Sequence, residues 1–368
     1  MAKFDVLVLG GDGIGPEVVA SSQRVLEVIA NKWKHTFRYS TDLVGGSAID
    51  AYGTPLRAET IATAKKANAI LFGAVGGPKW DNATVRPEAA ILGIRKALGL
   101  YANLRPVKVF PGMEESSPLK NDRVRGADLV IIRELTGGLY YGKPKKRWTT
   151  KDGRKGVDTM LYTEKEVERI MRVGFELARS RRKKLTSVDK ANVLESSRMW
   201  REVATELGKE YPDVELEHQL VDSCAMLLIT QPTRYDVMVM ENTFGDILSD
   251  EAAVLSASLG MLPSASLAGL PGLDSKGKAR KIRGLYEPSH GTAPDIVGTG
   301  KANPIATILS AAFMLQYSFG LTEEAQAINS AVDGVISAGH RTADIAERGG
   351  EFSTTDHMTD LIIERIAN

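Results

Sequence analysis

At 368 residues the chain has room for two domains, or for one domain interrupted by another, each with its own core. A hydrophobic fraction of 43%, a charged fraction of 25% and a formal net charge of +1 describe an ordinary soluble globular protein and set up no global field that favours nucleic acid or a membrane surface. The lone cysteine, Cys224, excludes an intramolecular disulfide, no apolar run reaches spanning length, and apolar strand residues begin at Phe4 with no signal pattern before them, so a cytoplasmic location is expected.

Residues 4–9 are a β-branched and apolar run that empties into GGDGIGPEV, which predicts a buried strand, a glycine turn and a helix opening at Pro16 and Glu17. The Gly-x-Gly-x-x-Gly fingerprint fails there. Pro16 stands where the third glycine belongs, and Asp42 is the only acid near the end of the next strand, so an ordinary Rossmann site is not expected. Residues 69–75 read as a buried strand ending in the loop GGPKWD, and 86–100 as a helix carrying Ile91, Leu92, Ile94 and Arg95. A β-like segment, 102–112, holds Arg105, and the strongly apolar strand 127–135 has Arg133 near its end. Residues 137–162 are too polar for a core. With Asp152-Gly153 as a hairpin signal, they form either a protruding two-stranded arm that pairs with another subunit or a flexible loop.

Helical period marks 164–181; a strand at 185–188 ends in DKANVL, with Lys190 and Asn192 at its tip, and a helix at 196–208 follows. The strand 214–221 turns helical at Asp222, and 236–240 feeds ENTFGDILSD, residues 241–250. A helix opening at Phe244 and Gly245 sets Asp246 and Asp250 one turn apart on one face. Like charges so placed either converge on a hard cation, magnesium or manganese, or are scattered acids on a solvated face. Residues 284–304 read as a long loop with the glycines, small hydroxyls, His290 and Asp295 from which a backbone wraps a nucleotide. Helices at 305–319, 323–338 and 355–366, the last with Thr355 as N-cap, close the chain. The basic clusters KPKKR (143–147) and RRKK (181–184) read as solvated surface rather than a nucleic-acid patch.

The chemistry-bearing residues are then a hard-metal pair, a third acid (Asp222), Lys190, the tyrosines Tyr140 and Tyr141, and three arginines. Any one arginine can simply pair with a neighbouring acid, but guanidinium forks also suit planar carboxylates. Three of them beside a divalent ion imply a substrate with at least two carboxylates. A hydroxyl held by the metal is easier to deprotonate, which opens hydride loss from its carbon. That points to an oxidoreductase acting on a hydroxy diacid.

Seven segments in chain order, GGDGIGPEV, LGIRKALGLYANLRPVKVF, IIRELTGGLYYG, VDKANVL, the stretch around Asp222, ENTFGDILSD and EPSHGTAPDIVGTGKANP, resemble the β-decarboxylating dehydrogenases, and among them the isopropylmalate branch. The resemblance implies an α/β, two-domain isocitrate/isopropylmalate dehydrogenase-like fold, non-Rossmann, with the active site in an inter-domain cleft. Residues 1–104 and 256–368 would form a discontinuous cofactor-binding domain, and 105–255 a central substrate, metal and dimerisation domain with a β arm around 137–162. It also implies a homodimer, without nucleic-acid or membrane partners, in which Lys190 and Asp222 enter the site of the other subunit. Magnesium or manganese would sit on Asp246, Asp250 and Asp222 of the partner subunit, with the substrate carboxylates on Arg95, Arg105 and Arg133. Lys190 would take the hydroxyl proton, through Asp222 or a water, and Tyr140 would act as general acid after loss of carbon dioxide. NAD is expected at Gly76, Gly77, Glu287, His290, Gly291, Thr292, Ala293, Asp295, Ile296 and Asn303, and Asp295 with Ile296 favours NAD over NADP because a carboxylate repels a 2′-phosphate.

In the same reading Ile91, Leu92 and Val193 of the partner subunit line an apolar pocket for an isopropyl group, and Glu88 lies near the nicotinamide. The implied reaction is NAD-dependent oxidative decarboxylation of 3-isopropylmalate to 2-oxo-4-methylpentanoate, the third step of leucine biosynthesis. A third carboxylate, as in isocitrate, would be heavily penalised against Ile91 and Leu92. Loss of the isopropyl group costs only about 1 to 3 kcal/mol per methylene, which keeps a malate- or tartrate-type enzyme as the alternative. A non-catalytic, metabolite-sensing subunit is the other rival, although such subunits usually lack a metal aspartate or the lysine–tyrosine pair, and all of these are present here. Cys224, two residues after Asp222, is expected to make the site sensitive to oxidation.

Overall fold

The computed structural model describes residues 2–275, 277–347 and 349–368. In chain order the first elements are β1 (Lys3–Gly11), α1 (Gly15–Trp33), β2 (Thr36–Thr41), α2 (Gly46–Tyr52), α3 (Ala58–Lys66), β3 (Ala69–Ala74), α4 (Ala89–Leu98) and β4 (Ala102–Lys108). After α5 (Asn121–Val124) and β5 (Asp128–Glu134) come the hairpin strands β6 (Lys146–Thr150) and β7 (Gly153–Val157), then α6 (Glu164–Arg179), β8 (Lys184–Asp189) and α7 (Glu195–Gly208). The chain continues through β9 (Glu215–Leu220), α8 (Val221–Thr230), β10 (Val237–Met240) and α9 (Asn242–Ala253). It ends with β11 (Pro263–Leu267), β12 (Gly284–Pro288), α10 (Ile305–Phe313), α11 (Thr322–Ser337) and α12 (Thr355–Ala367).

All strands but the hairpin join one ten-stranded sheet, in the order β2-β1-β3-β12-β11-β4-β5-β10-β8-β9. Its two wings are parallel, β2-β1-β3-β12 and β5-β10-β8-β9, because their apolar runs are buried on both faces by helices. Three antiparallel pairings, β12–β11, β11–β4 and β4–β5, join the wings and reverse their direction. The carboxyl ends of the two wings therefore lie at opposite edges, and the polar strand ends do not share a single crevice. Residue 104 lies within β4, and 255 within a single 3-10 turn, Val254–Ser256.

The hairpin forms as an exposed arm, but its turn is Lys151–Asp152, with Thr150 paired to Gly153. α9 opens two residues earlier than expected because the Glu241 carboxylate caps it, accepting the Phe244 N–H at 2.7 Å. α4 begins only at Ala89, the 284–304 loop starts as strand β12, and the cap of α12 is Thr354, not Thr355. α10 gives way at Met314 to a π-helical turn that ends at Phe319. The two basic clusters differ in kind. Arg181 pairs with Asp128 and Asp236, and Lys184 with Glu217, whereas the arm cluster is exposed and Lys145 lies 3.7 Å from Asp158.

Candidate active site

A polar row crosses the antiparallel centre of the sheet on one face. Register sets Glu287 opposite Ser264, Ser266 opposite Asn103, and Asn103 opposite Arg133; Arg105, two residues along β4, points the same way. Asn103 binds the row together, donating from Nδ2 to Ser264 Oγ at 2.8 Å and accepting from Arg105 Nε at 2.9 Å. The opposite face, with Leu104, Ile132, Ala265 and Tyr286, is buried in the main core against α10. Arg95 reaches the row from α4, its Nη2 2.6 Å from Glu287 Oε1, with both side chains only 12% exposed. All three expected arginines thus converge. Burial pushes the Arg133 guanidinium down, Arg105 and Arg95 add to that push, and Asp246 opposes it.

Helix α9 lies over this row. Gly245 makes the approach possible, since a Cβ there would stand 2.6 Å from Arg133 Cβ. Asp246 and Asp250, one turn apart, meet different arginines: Asp246 Oδ1 accepts from Arg133 Nη1, and Asp250 Oδ1 from Arg105 Nη1 at 3.2 Å. Arg105 also donates to Ser249 Oγ at 2.7 Å. The Tyr140 hydroxyl donates to Asp246 Oδ2 at 2.7 Å, and its surroundings, with that bond, push the phenol up to about 12. The donor set is all oxygen and partly open, Asp250 being 73% exposed, and so fits a hard cation of the magnesium or manganese kind. Among the described residues no third Asp, Glu, His or Cys completes a metal-binding group with this pair.

Lys190 and Asp222 form a separate pair. Nζ and Oδ1 are 2.8 Å apart, and that bond holds the Asp222 carboxyl below the usual range. Lys190 follows β8 and Asp222 follows β9, two and three strands from Arg133 on β5, or about 10 and 14 Å across the sheet. Among the described residues, Asp222 does not join the α9 aspartates in a metal-binding group. The Lys190 tip is anchored beneath by the buried Asp189, which takes two hydrogen bonds from Arg201 and one from the Ala191 N–H. Val193, on the same tip, is exposed. On α4 and its N-cap, Glu88, Leu92 and Arg95 share a face; Leu92 is exposed, and Ile91 packs partly into the core beneath.

The expected nucleotide loop is shaped largely by a neighbour. Gly11 and Gly13 have positive φ, and a Cβ at Gly13 would fall 2.1 Å from the Thr292 carbonyl oxygen, which the Ile14 N–H also meets at 2.9 Å. The turn after β1 is therefore filled by the 292 loop, a physical reason for the failed glycine fingerprint. Ala293 holds a left-handed φ of 39°, and Ile296 packs with Ile14, Val18 and Ala302 beneath the exposed Asp295. Burial holds His290 below its usual range; its Nε2 is buried with no hydrogen-bond partner among the described residues, and its Nδ1 lies 2.8 Å from the carbonyl oxygen of Gly291. Asn303 is tied back to Asp344 at 3.1 Å. Gly76 and Gly77 follow β3 with φ of 128° and 145°, and the Glu88 carboxylate lies beside Gly76.

Asn103, Asn242 and Asp12 escaped sequence reasoning. Asp12 is buried and accepts N–H groups from Gly46, Ser47 and Gly76, fixing three loops at once. Its only sequence signal is an acid inside the glycine turn. The expectation for Cys224 is overturned: the thiol is fully buried, and burial pushes it up to about 12, which makes it inert rather than oxidation-sensitive.

The sequence profile of the family described as isocitrate/isopropylmalate dehydrogenase matches residues 5–362. The chain is 56% identical over 366 residues to a 3-isopropylmalate dehydrogenase of Dehalococcoides mccartyi, with 99% of each covered. It is 54% identical over 363 residues to that of Bacillus subtilis, covering 98% of this chain and 96% of the relative. Among solved structures, an isocitrate dehydrogenase from Methylococcus capsulatus superposes with a TM-score of 0.84 at 33% identity, covering 99% of this chain and 100% of its own. A β-decarboxylating dehydrogenase from Thermococcus kodakarensis gives 0.78 at 35% identity, with 99% and 96% covered. With its fold, its arginine row and its paired aspartates, the chain belongs to the isocitrate/isopropylmalate dehydrogenase family of oxidoreductases.

Proposed function

We propose that the protein oxidises and decarboxylates 3-isopropylmalate to 2-oxo-4-methylpentanoate, using NAD and a divalent metal, in leucine biosynthesis. The observation that carries this is the convergence of Arg95, Arg105 and Arg133 with Asp246 and Asp250 on one sheet face. Arg133 and Arg105 rest on Asp246 and Asp250 and can exchange them for a substrate carboxylate when a cation claims the aspartates, with Arg95, held by Glu287, beside them. Asp246, Asp250 and Asp222 of the partner subunit would hold magnesium or manganese, which would supply polarisation of the substrate hydroxyl, and NAD would supply the hydride acceptor. Lys190 of the partner subunit, once it has given up a proton to its paired Asp222 or to a water, takes the hydroxyl proton. The Tyr140 hydroxyl, protonated throughout the physiological range, delivers a proton to the carbon that loses carbon dioxide. Leu92 and Ile91, with Val193 of the partner subunit, face the isopropyl group, and a third carboxylate would find no polar group among them. The exposed Asp295 accepts from the ribose hydroxyls, on the loop that also carries His290.

A homodimer follows from the same reading. Lys190 and Asp222 lie two and three strands from Arg133, Asp222 completes no metal-binding group with the α9 aspartates among the described residues, and α8 and α9 expose Met226 (60%) and Ile247 (63%), an apolar face suited to a two-fold contact. We assign residues 1–104 and 256–368 to one domain and 105–255 to the other, with the antiparallel β11-β4-β5 strands as the joint. A leucine-requiring bacterial strain that lacks its own 3-isopropylmalate dehydrogenase tests the proposal. Growth without leucine is expected from the parent chain and not from Tyr140→Phe or Lys190→Ala; no growth with well-expressed parent protein contradicts it.

A further inference from the structure

Asn242, the first residue of α9, is buried, and both ends of its side-chain amide are engaged. Oδ1 accepts from Arg133 Nε at 2.9 Å, and Nδ2 donates to the Gly137 carbonyl at 3.1 Å. Its backbone N–H donates to the Tyr162 hydroxyl at 2.9 Å, a contact that any side chain at 242 would keep. Gly137 leads straight into the 3-10 turn Gly138–Tyr140, so one amide ties the arginine of the polar row to the loop that carries the tyrosine. The orientation is fixed by chemistry: a reversed amide would set NH₂ against N–H and oxygen against oxygen.

The rest of the loop leaves little slack. The Gly138 N–H donates to the Leu161 carbonyl at 3.0 Å, and the Tyr162 ring occupies the space a Cβ on Gly137 would need, 2.4 Å away. At the front, Arg133 and Tyr140 both rest on Asp246. Those contacts are the ones a cation and substrate compete for. Away from Asp246, the Arg133 guanidinium also lies 5.7 Å from the centroid of the Tyr140 ring, and Asn242 supplies the hydrogen-bonded link between Arg133 and the loop that carries Tyr140.

We infer that Asn242 is a positioning residue, holding the proton donor Tyr140 in register with the carboxylate-binding Arg133 while Asp246 is occupied elsewhere. The inference rests on the roles proposed above for those two residues. The isosteric Asn242→Asp separates the two bonds, since it keeps an acceptor for Arg133 and sets a repelling oxygen against the Gly137 carbonyl; Asn242→Ala removes both. For Asn242→Asp, KM for 3-isopropylmalate is expected to stay within about 3-fold while kcat falls about 10- to 100-fold, the scale of a 1 Å misplacement. Asn242→Ala is expected to add a rise in KM of about 10-fold. In a Tyr140→Phe background, Asn242→Asp should cost less than about 2-fold in kcat, because it acts through the missing hydroxyl. An unchanged kcat in Asn242→Asp beside a crippled Tyr140→Phe overturns this inference alone, as do fully additive losses in the double variant. Normal turnover in Tyr140→Phe overturns the proposed proton donor and this inference together.

Discussion

Cys224 and Asp222 share a helix turn yet have opposite environments. The carboxylate at the start of α8 is exposed and paired to Lys190, while the thiol, facing inward, packs among Tyr235, Leu228 and Met240. Because burial raises the thiol, folded and unfolded chains bind the same proton at that position below its ordinary value of 9. Above pH 9 the unfolded chain ionises first, so this contribution to stability is lost as pH rises toward 12. Native protein at pH 8 is accordingly expected to leave Cys224 unmodified by a disulfide reagent that reacts fully in denaturant, with Cys224→Ala flattening the fall in urea midpoint above pH 9; rapid native labelling would contradict this. At this scale, legibility followed chemistry and spacing. Asp246 and Asp250 stood out as a helical repeat, and the arginines as charges at the ends of apolar runs. Asn103 and Asn242 did not, because a buried amide that joins two functional groups looks in sequence like any other turn residue.

Helix α9 is the element on which the site depends, and its glycine decides how closely it approaches β5. A methyl at Gly245 would have to displace Arg133 Cβ and Cγ, both 2.6 Å from its ideal position. Gly245→Ala is therefore expected to lower stability by about 1–3 kcal/mol and to raise KM for the diacid more than KM for NAD, measured by denaturant unfolding and steady-state kinetics. Equal effects on both KM values would point to general loosening. The doubly buried strands β1, β3, β5 and β10 were legible as continuous apolar runs, and α6 as a clear helical period, to which the structure adds a Thr163–Glu166 capping box. β11 was not: Ser264 and Ser266 face the polar row, so its sequence PSASL reads as a loop. The start of α9 was misplaced because a glutamate is an uncommon N-cap, favoured here by the N–H of Phe244 and the hydroxyl of Tyr162.

Across the whole molecule, the reversal of direction between the two wings is what brings a row of side chains to the middle of a sheet face. It was invisible in sequence, since nothing local tells whether an apolar run will pair parallel or antiparallel, and one of the three reversing pairs joins β4 to β11 from far along the chain. The place of Lys190, two strands from Arg133, adds a second molecular-scale consequence. If each site draws its lysine from the other subunit, two inactive variants, Lys190→Met and Asp246→Asn, should rescue one another when unfolded together and refolded, giving about a quarter of parent activity from mixed dimers with one intact site. Mixtures no more active than their components would return Lys190 to its own chain. The account as a whole is tested most directly by following NAD reduction with 3-isopropylmalate, malate, tartrate and isocitrate in parallel, each with magnesium and with a chelator. It predicts metal-dependent turnover that strongly favours 3-isopropylmalate and disappears with the chelator; equal or better turnover of malate, tartrate or isocitrate, or turnover indifferent to metal, would contradict it.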